Sequence, residues 1–335
     1  MKELYSSKLI KEISPISNCF LISWHVTGWC NFHCPYCIDG LGKSKFTTIS
    51  DVENVAKKIN TFIENNINLE QPVKLRLYGG EPSAYPWINI LNNIKRLDSL
   101  VMPTNFSNSL EYYKELYLYC NKRNVNFILN CSCHPEATDF VNKMIALTNW
   151  CREQRKLGIY LSEPINTFVI DDNFDMSPIK ILEDNNISKI KLTIKRDIHS
   201  KKVKVSDFWE NKVLEYDEKY QNLIHSPQLK VTLTDGSEDY FINSTSLISK
   251  FKDGGFDPTG FYCDAGVNSI AIETNGDVLL SRCDYLKSNY IGNIFDDNFK
   301  LKKNIFKCEL NKNLSDSRCA LCFNTIIKKG ELKCI

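Results

Sequence analysis

Phe20-Leu21-Ile22-Ser23-Trp24-His25-Val26 runs through Thr27-Gly28 into Trp29-Cys30-Asn31-Phe32-His33-Cys34-Pro35-Tyr36-Cys37. The first seven residues read as a short apolar strand, and the strand delivers its end to three cysteines spaced C-x3-C-x2-C. Three thiolates on so short a loop can hold three corners of a 4Fe–4S cluster and leave one iron without a protein ligand. Zinc is the competing reading, and it needs a fourth ligand from His33 or from a distant cysteine.

The segments that follow alternate between helical and extended periodicity. Val52, Val55, Ala56, Ile59, Phe62 and Ile63 recur at helical spacing within Asp51–Ile67, with Ser50 or Asp51 as N-cap. Val73–Tyr78 reads as a strand, Ile88–Leu97 as a helix, Leu100–Thr104 as a strand and Leu110–Arg123 as a helix. Val125–Leu129, Asn166–Ile170 and Ile190–Ile194 read as further strands, separated by helices over Glu136–Lys156 and Ile179–Asp184. Such alternation implies parallel strands joined by crossover helices. Six such units are fewer than the eight of a closed TIM barrel.

Beyond residue 200 the pattern changes. Lys201–Lys204 is a basic patch, expected on a solvated face. Hairpins are expected at Leu229–Leu233 with Tyr240–Ile242, turning at Asp235-Gly236, and at Val267–Glu273 with Asp277–Leu280, turning at Asn275-Gly276. Six of the 14 cysteines lie here, at Cys263, Cys283, Cys308, Cys319, Cys322 and Cys334. Hairpins among cysteines describe a small module stapled by metal.

Composition narrows the function classes. The 42 Lys and Arg nearly balance 40 Asp and Glu, which argues against a nucleic-acid binder. No run of 18 apolar residues exists to cross a membrane. The Met1-Lys2-Glu3-Leu4-Tyr5 start has no apolar stretch of a secretory signal, so the expected compartment is the cytoplasm. Thiols there stay reduced, and 14 of them point to metal rather than disulfides.

The cysteine loop resembles the signature of the radical S-adenosylmethionine (radical SAM) superfamily, with aromatic Tyr36 before the last cysteine. Leu77-Tyr78-Gly79-Gly80-Glu81-Pro82, after the second strand, is similar to that family's Gly-Gly-Glu-Pro motif. The resemblance implies an α/β fold: a partial (β/α)6 TIM-like barrel over residues 1–225, with an N-terminal extension at 1–18. It also implies that Cys30, Cys34 and Cys37 hold a radical-generating 4Fe–4S cluster, which chelates S-adenosyl-L-methionine. Gly79, Gly80, Glu81 and Pro82 would bind the cofactor, the glycines by letting backbone approach it and Glu81 by accepting from its ammonium. Thr104-Asn105 and the segment Asn130-Cys131-Ser132-Cys133-His134 give softer candidates, with Asn105 and Ser132 chosen. His134 is either a site residue or an ordinary loop histidine.

Residues 226–335 resemble the auxiliary-cluster extensions called SPASM and twitch domains. SPASM needs a further cysteine after Cys319-Ala320-Leu321-Cys322 and a five-residue spacer, where this chain has Lys328. The shorter twitch pattern then implies one auxiliary 4Fe–4S cluster on Cys263, Cys283, Cys319 and Cys322, with a four-cysteine zinc knuckle as the alternative. Cys308 and Cys334 remain as spare ligands, buried thiols or hydrogen-atom donors. The expected activity is hydrogen abstraction by a 5′-deoxyadenosyl radical, on a peptide (crosslink or epimerisation) or on a sugar or aminocyclitol. A flavodoxin or ferredoxin would be the reducing partner, and a non-catalytic metal scaffold is the reading from another class.

Overall fold

Two backbone periodicities account for the elements of the computed structural model, which describes residues 9–34, 37, 46–134, 139–195, 205–223, 229–241, 261–263, 266–280, 290–301, 306–307 and 327–329. In chain order these begin β1 (Ile10–Pro15), β2 (Phe20–Thr27), α1 (Ile49–Asn66), β3 (Val73–Gly79), α2 (Trp87–Leu91), β4 (Ser99–Thr104), α3 (Leu110–Lys122) and β5 (Asn126–Cys133). They continue with α4 (Phe140–Lys156), β6 (Ile165–Ile170), α5 (Ser177–Asp184), β7 (Ile190–Ile194) and α6 (Asp207–Leu223). The remaining strands are β8 (Leu229–Leu233), β9 (Glu238–Phe241), β10 (Phe261–Cys263), β11 (Ser269–Ile272), β12 (Asp277–Leu279), β13 (Tyr290–Asn293), β14 (Phe306–Lys307) and β15 (Ile327–Lys329).

Compactness divides the chain into two interleaved units. One comprises 24–60 and 74–223, the other 1–23, 61–73 and 224–335. In the first, the strands follow one another in the order β2-β3-β4-β5-β6-β7, and the pairs from β3 to β7 are all parallel. This is the open α/β partial barrel that the alternation implies. Its strands alternate strictly: Leu100, Met102 and Thr104 of β4, and Phe168 and Ile170 of β6, are buried, while Val101, Pro103, Thr167 and Val169 on the opposite face are half-buried. α6, absent from the sequence reading, packs against β7 with Trp209, Tyr216 and Tyr220 buried on one face.

Local chemistry moves several boundaries. α1 begins at Ile49, and Thr48 rather than Ser50 or Asp51 caps it. The Thr48 hydroxyl accepts from the Asp51 amide at 3.2 Å and donates to the Asp51 carboxylate at 2.6 Å. The helix expected over Ile88–Leu97 stops at Leu91, where the Arg123 guanidinium donates to the carbonyls of Leu91 (2.7 Å) and Ile94. Those carbonyls need no further helical turn. β5 runs on through Cys133, so Ser132 stands in the strand rather than in the loop after it.

The other unit is built on antiparallel strands. A six-stranded sheet has the order β14-β10-β15-β1-β8-β9, so β1 lies between β15 and β8. β8 and β9 form the first expected hairpin, with Gly236 at φ +90° in its turn. β11 and β12 form the second, extended by β13. No described helix is long and apolar enough to cross a membrane.

Candidate functional site

The cysteine loop is held where β2 and β3 end. Gly80 N–H donates to the Thr27 carbonyl at 2.6 Å, and Glu81 N–H to the Trp29 carbonyl at 2.8 Å. Both glycines are needed for this approach. Gly79 stands at φ +110°, where a Cβ would collide with the Thr27 carbonyl and the His25 ring; a Cβ on Gly80 would collide with the Trp29 carbonyl. The sequence reading gave these glycines to the cofactor. The protein's own Thr27 and Trp29 carbonyls and His25 ring already exclude a side chain at both positions. Aromatic contacts steady the same corner: Trp29 meets Phe46 edge-on at 5.3 Å, and Phe46 stacks on Tyr85 at 4.9 Å.

A cavity of about 360 Å³ opens at the C-terminal ends of the barrel strands. Cys30, Cys34 and Cys37 line one side of it, and all three are free thiols. The Phe32 amide donates to Cys30 Sγ at 3.4 Å, and Asn105 Nδ2 approaches the same sulfur at 3.6 Å while bonding Asn31 Oδ1 at 2.8 Å. Burial pushes the Cys30 thiol up, with the Phe32 bond acting against it. Cys34 Sγ lies 3.3 Å from His134 Nδ1, and the Phe32 ring meets that imidazole edge-on. No three Cys, His, Asp or Glu side chains among the described residues gather closely enough for a single metal ion.

Glu81 is the polar centre of the adjoining wall. Its carboxylate is buried, and Oε1 accepts from the Ser83 amide (2.8 Å) and the Thr104 hydroxyl (2.7 Å). Oε2 accepts from the Asn105 amide at 2.7 Å. Burial raises the Glu81 pKa, and these bonds pull it back. Thr104 Oγ1 in turn accepts from the Phe106 amide at 3.0 Å, fixing the turn after β4 in which Phe106 takes φ +60°.

Of the cofactor residues expected from sequence, Gly79, Gly80, Glu81, Asn105 and Ser132 line the cavity. Pro82 does not. It is buried and starts a short 3-10 turn, with its carbonyl accepting from Trp87 Nε1 at 2.7 Å. His134 joins the lining, beside Cys34. Tyr36, Cys283, Cys308, Cys319, Cys322 and Cys334 lie outside the described residues, and Cys263 is described only as backbone, paired with Ile327 and Phe306. Phe32, Thr167, Val169 and Thr193 also line the cavity and were not singled out from sequence. Strand parity is the signal that could have found the last three, because they project on the same face of β6 and β7.

No protein-family model and no curated protein matches the sequence. Among solved structures the chain is similar to SuiB of Streptococcus suis bound to S-adenosylmethionine, with a TM-score of 0.50 at 15% identity over 84% of this chain and 65% of that one. A second structure of SuiB gives 0.49 at 14% identity over 84% and 65%, and BtrN in an open conformation 0.34 at 12% over 82% and 75%. At such identity the likeness is one of fold, and this chain spans under two thirds of the length of SuiB.

Proposed function

From the radical SAM fold as premise, we propose that this chain is an enzyme that holds a 4Fe–4S cluster on Cys30, Cys34 and Cys37 and S-adenosyl-L-methionine in the adjoining cavity. One observation carries the reading: three free thiols of a single loop line the same cavity as Gly79, Gly80 and Glu81. Bound together, cluster and cofactor supply a 5′-deoxyadenosyl radical that takes a hydrogen atom from a substrate C–H bond.

The chain's own residues then bind, orient and enclose. Glu81 Oε2 accepts from the Asn105 amide and has a further lone pair for an ammonium donor. Asn105 and Ser132 offer polar atoms to a ribose, and His134 steadies the Cys34 side of the loop. The wall of Thr167, Val169 and Thr193 faces the space left for substrate. We favour a peptide substrate, crosslinked or epimerised, on the family resemblance; a dehydrogenase or epimerase of a sugar or aminocyclitol is the second reading. An auxiliary 4Fe–4S cluster on Cys263, Cys283, Cys319 and Cys322, and reduction by a flavodoxin or ferredoxin, complete the proposal.

The test is anaerobic reconstitution with iron and sulfide, then dithionite and S-adenosylmethionine. The wild-type chain should carry about eight irons and release 5′-deoxyadenosine. Alanine at Cys30, Cys34 and Cys37 together should remove about four irons and end that release. A triple variant that still formed 5′-deoxyadenosine would overturn the assignment.

A further inference from the structure

Two of the cysteine sulfurs in the cavity meet nitrogen groups from different sources. Cys30 Sγ accepts from the Phe32 amide of its own loop at 3.4 Å and lies 3.6 Å from Asn105 Nδ2. Cys34 Sγ is met by a residue 100 positions on, His134, whose Nδ1 lies 3.3 Å away. Strand parity brings that ring in: Ser132 of β5 lines the cavity, and so does His134 two residues further. The Phe32 ring meets the imidazole edge-on, with centroids 5.9 Å apart. Phe32 thus serves both sulfurs, by its amide at Cys30 and through the ring it steadies at Cys34.

An imidazole nitrogen can give a proton to a thiol or take one from it. The choice closes once Cys34 ligates iron, because its sulfur then carries no hydrogen and only accepts. Nδ1 must then hold the proton. Cys34 is 6% exposed, so water competes little for this contact. An N–H donor on a ligating sulfur favours the more negative oxidation state and raises the reduction potential.

We propose that His134 is a positioning residue for electron entry. Its Nδ1–H donates to Cys34 Sγ and sets the potential at which a cluster on Cys30, Cys34 and Cys37 accepts one electron. That electron comes from the flavodoxin or ferredoxin already proposed; no bond breaks in the step, and the proton stays on Nδ1. The proposal rests on the reading of these three cysteines as cluster ligands.

The experiment reconstitutes the full chain with iron and sulfide as wild type, His134→Phe and His134→Asn, and measures iron content first. The midpoint potential is then read by electron paramagnetic resonance during titration with a europium(II) chelate, without S-adenosylmethionine. The signal followed is the one absent from the triple alanine variant at Cys30, Cys34 and Cys37. Phe keeps the ring and removes the donor, so iron content should hold. Its reduction equilibrium should fall about tenfold, about 59 mV toward lower potential. Asn places an amide nitrogen near the position of Nδ1 and should recover most of that shift. Equal potentials in the three chains overturn the proposal, and so does an Asn variant that behaves as Phe. A higher potential in His134→Phe also overturns it, marking the ring as a plug against water, as does loss of iron, which marks it as a support of the loop. A wild-type chain that binds no cluster at these cysteines overturns the reading beneath the proposal, and the iron measurement shows that failure separately.

Discussion

The two walls of the cavity are built differently. On the β3–β4 side, Glu81 accepts from the Ser83 amide, the Thr104 hydroxyl and the Asn105 amide, and the two glycines before it are wedged against Thr27 and Trp29. On the β6–β7 side, Thr167 makes one side-chain bond, and the Thr193 hydroxyl makes none among the described residues. A wall whose polar atoms are already paired is rigid before anything binds, which suits a ligand of fixed shape. A wall with unpaired polar groups takes its partners from the ligand. On the function proposed above, the first side would hold the cofactor and the second would meet the substrate.

Substitution can break or sharpen this contrast, and the largest effect is expected at the glycines. Gly80→Ala must push the Trp29 backbone aside and should cost about 3 kcal/mol or more, or prevent folding, as read by chemical denaturation. A well-folded Gly80→Ala chain of wild-type stability would show that the loop is not held by this approach. Next, Glu81→Ala strands three donors and should cost about 2–3 kcal/mol, reduced because burial of the carboxylate is itself unfavourable. The same variant should weaken S-adenosylmethionine binding while leaving iron content near wild type; unchanged affinity would take Glu81 out of the site. Thr104→Val keeps the shape but removes a donor to Glu81 and the acceptor of the Phe106 amide, for about 1–2 kcal/mol. Thr193→Val, on the other wall, should stay within about 0.5 kcal/mol. Equal costs at Thr104 and Thr193 would erase the distinction between the walls.

What could be read from sequence follows from how local each signal is. C-x3-C-x2-C and Gly-Gly-Glu-Pro are short and their meaning sits within a few residues, so the loop and Glu81 were legible. The barrel strands were legible because each is an apolar run between helical segments. Thr167 and Thr193 were not: their relation to Ser132 depends on strand register, which no single strand encodes. The Thr104 hydroxyl was passed over for the same reason, since its acceptor is 23 residues back on another loop. α6 was missed because its buried Trp209, Tyr216 and Tyr220 are diluted by a dense charged face. β1 was missed because an isolated six-residue strand says nothing about partners more than two hundred residues on.

That last pairing has a consequence for the order of events at the ribosome. The partial barrel draws on residues 24–60 and 74–223, and so is fully synthesised once residue 223 is made. β1 emerges before every strand of the barrel, yet one of its neighbours is β8 at Leu229–Leu233 and the other is β15 at Ile327–Lys329. Throughout synthesis of everything between, β1 is a strand with open hydrogen-bonding edges, and Ile10 and Ile13, buried in the finished protein, await their cover. Closure over so long a loop is slow compared with helix formation and neighbouring strand pairing. A nascent chain stalled after residue 223 should therefore protect its barrel strands from protease while leaving the β1 segment cleavable, and protection of β1 should appear only after residue 329 has cleared the exit tunnel.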